Sequence, residues 1–142
     1  MQDTDLISLE GKDLKYIFEN VKNIAVFSCS PNPIKASFHV AKYLQEKGYN
    51  IIPIYPKEDE ILGEKVYRNL EEVPFKIDMV DIFRKSEAIE GIVRSAIKRG
   101  DISVIWTQLD LVDNKAAKLA KNNHVKVVQN KCTQIEHGKL FS

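Results

Sequence analysis

Cysteine occurs only twice in 142 residues. Cys29 and Cys132 are too few for a disulfide framework and too scattered for a paired-thiolate zinc site, so a reducing compartment is expected. Six glycines and five prolines exclude collagen-like and low-complexity chains. No sign of charge dominates: 21 Lys and Arg stand against 20 Asp and Glu, a formal net charge of +1. Without a global positive field, nucleic acid is not an expected partner. No run approaches the roughly 20 apolar residues that cross a membrane. The acidic start, residues 1–11, has neither the basic opening nor the apolar stretch of a secretory signal, so a cytoplasmic location is expected. What remains is 44% hydrophobic and 29% charged residues, a composition that folds around one core at this length.

Short apolar runs alternate with amphipathic ones. Ile24-Ala25-Val26-Phe27 reads as a strand covered on both faces. Ser37 to Lys47 carries Phe38, Val40, Ala41 and Leu44 at helical spacing, with Gly48 where a left-handed C-cap belongs. Ile51-Ile52-Pro53-Ile54 is a second strand, and Pro53, lacking an N–H, puts it near an edge. Ile77 to Ile82 alternates apolar and acidic residues, the pattern of a third strand with one partly polar face. A helix follows from Ser86 to Gly100, then a strand at Ile102–Trp106, a helix capped by Asp113, a strand at Val125–Val128 and a short helical tail from Thr133. The stretch 57–74 is a long connection with a turn at Leu62-Gly63-Glu64 and a helical turn around Asn69–Glu72. Strands separated by helices need crossover connections, which give a doubly wound α/β domain with a parallel sheet. Residues 1–21 form a leading segment whose short helix packs Leu14, Ile17, Phe18 and Val21 on the sheet's flank; residues 22–142 form the domain proper.

Ligands of such sheets bind beyond the carboxyl ends of the strands, which singles out four loops. The first, Ser28-Cys29-Ser30-Pro31-Asn32-Pro33-Ile34-Lys35-Ala36-Ser37, leads into a helix N-terminus that attracts phosphate, with Ser30 and Ser37 as added hydroxyl donors. The same letters also suit a plain turn with an N-cap. In the second, Tyr55-Pro56-Lys57, a lysine stands where dinucleotide folds place an acid for the ribose diol, which favours an extra ribose phosphate; an isolated surface lysine reads equally well. The third is Phe83-Arg84-Lys85 and the fourth Thr107-Gln108-Leu109-Asp110. Phe83 suits an adenine contact or the core.

These segments carry a resemblance. Ser30-Pro31-Asn32-Pro33, Ser37 to Leu44, Ile54-Tyr55-Pro56-Lys57, Ile61 to Tyr67, Val80 to Glu87, Trp106-Thr107-Gln108-Leu109 and Cys132 to His137 resemble, in order, the small bacterial and archaeal CoA-binding proteins. That family is similar to the CoA-binding domain of the succinyl-CoA synthetase α subunit. The resemblance implies a Rossmann-like sheet of five parallel strands in the order 3-2-1-4-5, helices on both faces. It implies coenzyme A or an acyl-CoA over the strand ends, with pyrophosphate on Ser28, Cys29, Ser30, Asn32 and Ser37. Adenosine and its 3′-phosphate would lie near Tyr55, Pro56, Lys57, Phe83 and Arg84, and pantetheine would pass Gln108. The family pattern carries glycine where this chain has Ser28 and Asp110.

Catalysis needs a nucleophile, an acid or base and a stabilising group within mutual reach, and no Ser-His-Asp spacing, zinc-protease motif, P-loop or metal-ligand cluster is present. His39 and His137 read as structural and His124 as surface. Cys29 suits a small core residue or, at a helix N-terminus, a reactive thiol; Trp106 suits the core. The synthetase's phosphorylated histidine belongs to a domain this sequence does not match. The expected function is therefore non-catalytic binding of CoA or acyl-CoA as a carrier, sensor or regulatory module. Alternatives are a CoA-binding subunit of a synthetase completed by a partner chain, an NAD(H)-type sensor, or an interaction domain that has lost its ligand. A homodimer through the outer helices is a further expectation.

Overall fold

The computed structural model describes residues 11–141; the first ten residues of the leading segment lie outside the described residues. Helix α1 (Gly11–Asn20) precedes β1 (Asn23–Phe27), α2 (Ala36–Glu46) and β2 (Asn50–Ile54). A hairpin of β3 (Glu60–Ile61) and β4 (Glu64–Lys65) and a 3₁₀ turn (Leu70–Glu72) lead to β5 (Met79–Ile82). A second 3₁₀ turn (Ser86–Ala88) runs into α3 (Ile89–Arg99), followed by β6 (Val104–Thr107), α4 (Asn114–Asn122), β7 (Lys126–Val128) and α5 (Thr133–Phe141). None of the helices among the described residues is long and apolar enough to cross a membrane.

Local chemistry places these boundaries. Asp113 accepts from the Ala116 N–H at 3.0 Å and starts α4, while Gly100 closes α3 at φ 82°. Leu62 and Gly63, at φ 56° and 78°, make the two-residue left-handed turn that a tight hairpin demands. Asn69 accepts from Glu72 N–H at 3.0 Å and caps the 3₁₀ turn.

Five parallel strands form one sheet in the order β2-β1-β5-β6-β7. Helices α3 and α4 cover one face, around Ile54, Leu70, Val80, Ile82, Ile92 and Ile105. Helices α1, α2 and α5 cover the other, around Phe18, Ile24, Val26, Leu44, Met79 and Trp106. The architecture is the doubly wound, Rossmann-like one, with a correction to the strand order. Numbered along the chain the five strands run 2-1-3-4-5, because β5 pairs with β1 rather than lying outside β2. The outer edge of β2 is taken by Tyr67, which bridges Ile54 and exchanges hydrogen bonds with Pro53 O and Tyr55 N–H, each at 3.0 Å. The segment after the hairpin thus holds the place of a further edge strand, reduced to one bridge. Pro53 sits in the sheet's edge strand, as a residue without an N–H should.

A second correction concerns β5. Its alternating acids suggested a partly polar face, yet all four residues are buried and Asp81 is completely so. With helices on both sides the sheet has no wet face, and Asp81 is instead satisfied internally. Trp106 packs on Phe18 at 5.3 Å and donates to Lys131 O at 2.8 Å. His137 is structural: Tyr43 Oη lies 2.8 Å from its Nδ1, Phe141 stacks on it, and Phe18, Tyr43 and Tyr49 meet it edge-on.

Candidate ligand-binding site

The chain leaves β1 toward β2 on one side and arrives at β5 on the other, so the strand order reverses between β1 and β5. Ligands of open α/β sheets bind at such a point. A cleft of about 420 Å³ opens there. Its floor is Phe27, Ile54, Leu70 and Ile92; its rim includes Ser28, Tyr55, Pro56, Arg68, Asn69 and Arg84; and Ala88, Gly91 and Ser95 of the α3 region form its side. Arg84 is exposed and has no hydrogen-bond or ion-pair partner among the described residues, leaving a cation at the mouth. The Arg68 guanidinium holds the loop after β2, donating to Tyr55 O, Lys57 O and Glu58 O at 3.2, 3.0 and 2.8 Å.

The loop after β1 reaches the cleft lining through Ser28; the predicted Ser30, Asn32 and Ser37 do not line it and are held within the loop itself. Ser30 N–H donates to Ser37 Oγ at 2.9 Å, Asn32 N–H to Ser30 Oγ at 3.0 Å, and Ile34 N–H to Asn32 Oδ1 at 3.0 Å. Ser30 and Ser37 therefore spend lone pairs inside the loop and keep their hydroxyl protons to donate. No side chain caps α2, and the amides of Ala36 and Ser37 have no acceptor among the described residues. Unpaired amides at a positive helix end are a site for an anion.

Ser28 and Asp110 adopt φ of 70° and 69°, the left-handed conformation that glycine serves most easily. The backbone path that the family's glycines imply is thus kept with side chains present. It is held by Ser28 N–H on Ile54 O at 2.8 Å and Asp110 N–H on Asn130 Oδ1 at 2.7 Å. Relieving this conformation by Ser28→Gly is expected to stabilise the protein by about 1 kcal/mol. Urea denaturation checks it, and an unchanged or lowered midpoint would show that Ser28 is not strained.

Other predicted residues lie away from the cleft. Cys29 is fully buried in the α2 and α5 face, and its N–H is spent on Ile54 O at 3.2 Å. Burial first, and the nearby Asp81 carboxylate second, push its thiol up to about 12, so it is a protonated core residue rather than a reactive nucleophile. Phe83 packs into that same face, on the opposite side of the strand end from Arg84. Lys57 is exposed and does not line the cleft. Gln108 is buried, and its amide donates to Asp81 and, at 3.2 Å, to Thr133 Oγ1. Thr133 in turn donates to the other Asp81 oxygen at 2.8 Å. Burial pushes Asp81 up to about 7 against these two hydrogen bonds.

Arg68, Asn69, Leu70 and Gly91 are cleft residues that sequence reasoning missed. The signal available for the first three was the length of the connection 57–74, since long connections in compact domains are commonly functional.

A family model for a CoA binding domain matches residues 22–138. The chain belongs to that family. This CoA-binding domain is 35% identical over 126 residues to YneT of Bacillus subtilis, covering 89% of this chain and 93% of that one. It is 26% identical over 134 residues to an ADP-forming acetate–CoA ligase of Methanocaldococcus jannaschii, covering 88% of this chain but only 19% of the ligase. A solved hypothetical protein from Pyrococcus horikoshii superposes with a TM-score of 0.90 at 36% identity, covering 94% of each chain. The CoA-binding domain is thus related both to small proteins of its own size and to one part of much longer synthetases.

Proposed function

We propose that this chain binds coenzyme A or an acyl-CoA without catalysing a reaction itself, as a carrier, sensor or regulatory module. The observation that carries this reading is the cleft at the strand reversal, with Arg84, unpartnered among the described residues, at its mouth. In this reading adenosine enters between Tyr55-Pro56 and α3. Its 3′-phosphate meets Arg84, the pyrophosphate runs to the free amides of Ala36 and Ser37 and the hydroxyls of Ser30 and Ser37, and the thiol arm leaves along the rim. Arg84 takes the role that the sequence suggested for Lys57, while Cys29 is buried in the opposite face and the Gln108 amide nitrogen is spent on Asp81 and Thr133.

Calorimetric titration with CoA, dephospho-CoA and NAD tests the proposal. CoA is expected to bind most tightly, and Arg84→Ala to weaken CoA by about 1 to 3 kcal/mol, the range of a charge-assisted hydrogen bond. The same substitution should leave dephospho-CoA nearly unaffected. Equal affinity for CoA and dephospho-CoA would remove Arg84 from the account, and preference for NAD would replace the ligand. A second reading has its own support: the likeness to one fifth of a CoA ligase favours a CoA-binding subunit completed by a partner chain, which would copurify with it from its native cells.

A further inference from the structure

Glycine inside a helix gives up more conformational freedom on folding than alanine does and packs nothing in return, so a helical glycine calls for a reason. Gly91 stands in the first turn of α3, and the usual reasons do not apply to it. Its φ is not left-handed, and a Cβ built on it meets no atom within 4 Å, so neither backbone geometry nor close helix packing requires its missing side chain. The space into which that Cβ would project belongs to the cleft, where Gly91 stands between Ala88 and Ser95. Tyr55 and Pro56, the residues that follow β2, line the same cleft.

We infer that Gly91 is the specificity-determining position of the cleft: its bare backbone forms the wall on which the adenine ring of the ligand lies flat. This rests on the reading of the cleft as the adenosine end of a CoA site and adds what shapes it. A planar purine gains from lying flat on a smooth wall, and a side chain at position 91 would stand out from that wall into the open space a Cβ meets there. The pantetheine arm, flexible and threaded with amides, has no such requirement. The cation at Arg84 agrees with a ring that carries a ribose phosphate.

Gly91→Leu and Gly91→Gln keep a good helix former at an exposed position, so both are expected to fold with a thermal midpoint equal to the parent's or about 2 °C higher. Titration of each with CoA, adenosine 3′,5′-bisphosphate and pantetheine is the test. Affinity for CoA and for the bisphosphate is expected to fall at least about tenfold in both variants, as loss of ring contact at a filled site implies, while any pantetheine binding is unchanged. If the parent binds CoA and both variants bind it equally well, Gly91 does not shape the site, and the CoA reading survives. If the parent binds neither CoA nor the bisphosphate, the CoA reading falls and this inference with it. The glutamine variant decides the matter should the leucine variant not fold.

Discussion

Replacing Asp81 by asparagine is expected to make the protein markedly more stable at about pH 8.5, with a much smaller gain at about pH 5. Asp81 is completely buried, and burial raises its carboxyl from 3.8 to about 7. Between those two values the folded protein holds a proton that the unfolded chain has released, so folding weakens as pH rises. The stability tied to the neutral carboxyl is fully present below 3.8 and is lost as pH passes about 7. A shift of about 3 units corresponds to a loss on the order of 4 kcal/mol at 1.36 kcal/mol per unit. Asparagine keeps the shape and both hydrogen-bonding contacts, accepting from Gln108 and facing a Thr133 hydroxyl that can turn to accept, and it has no proton to lose. The acid limb should stay as it is, because His137 acts in the opposite sense. Burial lowers its pKa first and Lys47 adds to that, so its contribution is present above about 6.5 and is lost as pH falls through the lowered value. Cys29, raised to about 12 from 9.0, adds an alkaline loss of its own only above about pH 9, which sets the upper limit of the comparison. Urea midpoints across pH 5 to 8.5 read the effect; parallel curves for parent and Asp81→Asn would mean that Asp81 is not the group that titrates.

The same buried acid shows where the sequence stops being legible. Apolar runs such as Ile24–Phe27, the cap at Asp113 and the glycine at 100 are local signals, and the elements they mark are present. The side of β1 on which the third strand pairs is a long-range choice. The outer edge of β2 is taken by Tyr67 bridging Ile54, which no local pattern announces. Ile77-Asp78-Met79-Val80-Asp81-Ile82 reads as a half-wet strand because alternation cannot distinguish an acid facing water from one facing Gln108 and Thr133. At the candidate site, Ser28, Tyr55, Pro56 and Arg84 were legible as cleft-lining residues because topology fixes where strand ends point, whereas Ser30, Asn32, Ser37 and Lys57 of the same loops do not line it. Phe83 and Arg84 could have been separated in advance: adjacent residues leaving a strand point to opposite faces, so only one of the two can enter the cleft. Cys29 was ambiguous by letter alone, since a helix N-terminus and a core slot both lie within reach of a strand's end, and burial decides it.

Arg99 to alanine is expected to cost about 3 kcal/mol of stability, the range for removing one partner from a largely desolvated charged network. Its guanidinium, at the last turn of α3, donates to Leu70 O at 2.6 Å, Val73 O at 2.9 Å and Phe75 O at 2.8 Å. It also grips Asp101 through two bonds of 3.0 and 2.8 Å, with only 12% of the side chain exposed. Truncation removes the guanidinium from three carbonyls and a carboxylate, of which Leu70 O keeps Val73 N–H and Asp101 keeps Ile77 N–H. Lysine should recover only a minor part, because a single ammonium cannot span a fan that the planar fork fills. Asp101 is held below the ordinary carboxylate range, its burial outweighed by the Arg99 guanidinium and the Ile77 N–H; losing Arg99 should return it toward that range. The segment released, Leu70 to Phe75, supplies the Leu70 floor of the cleft next to Asn69. Ligand affinity should therefore fall together with stability, although Arg99 does not line the cleft. Denaturation of Arg99→Ala and Arg99→Lys, with limited proteolysis watched between residues 68 and 76, separates the cases. Loss in both with new cleavage there supports the staple, whereas a parent-like midpoint in the alanine variant would show that the 3₁₀ segment is held by Leu70 and Val73 burial alone.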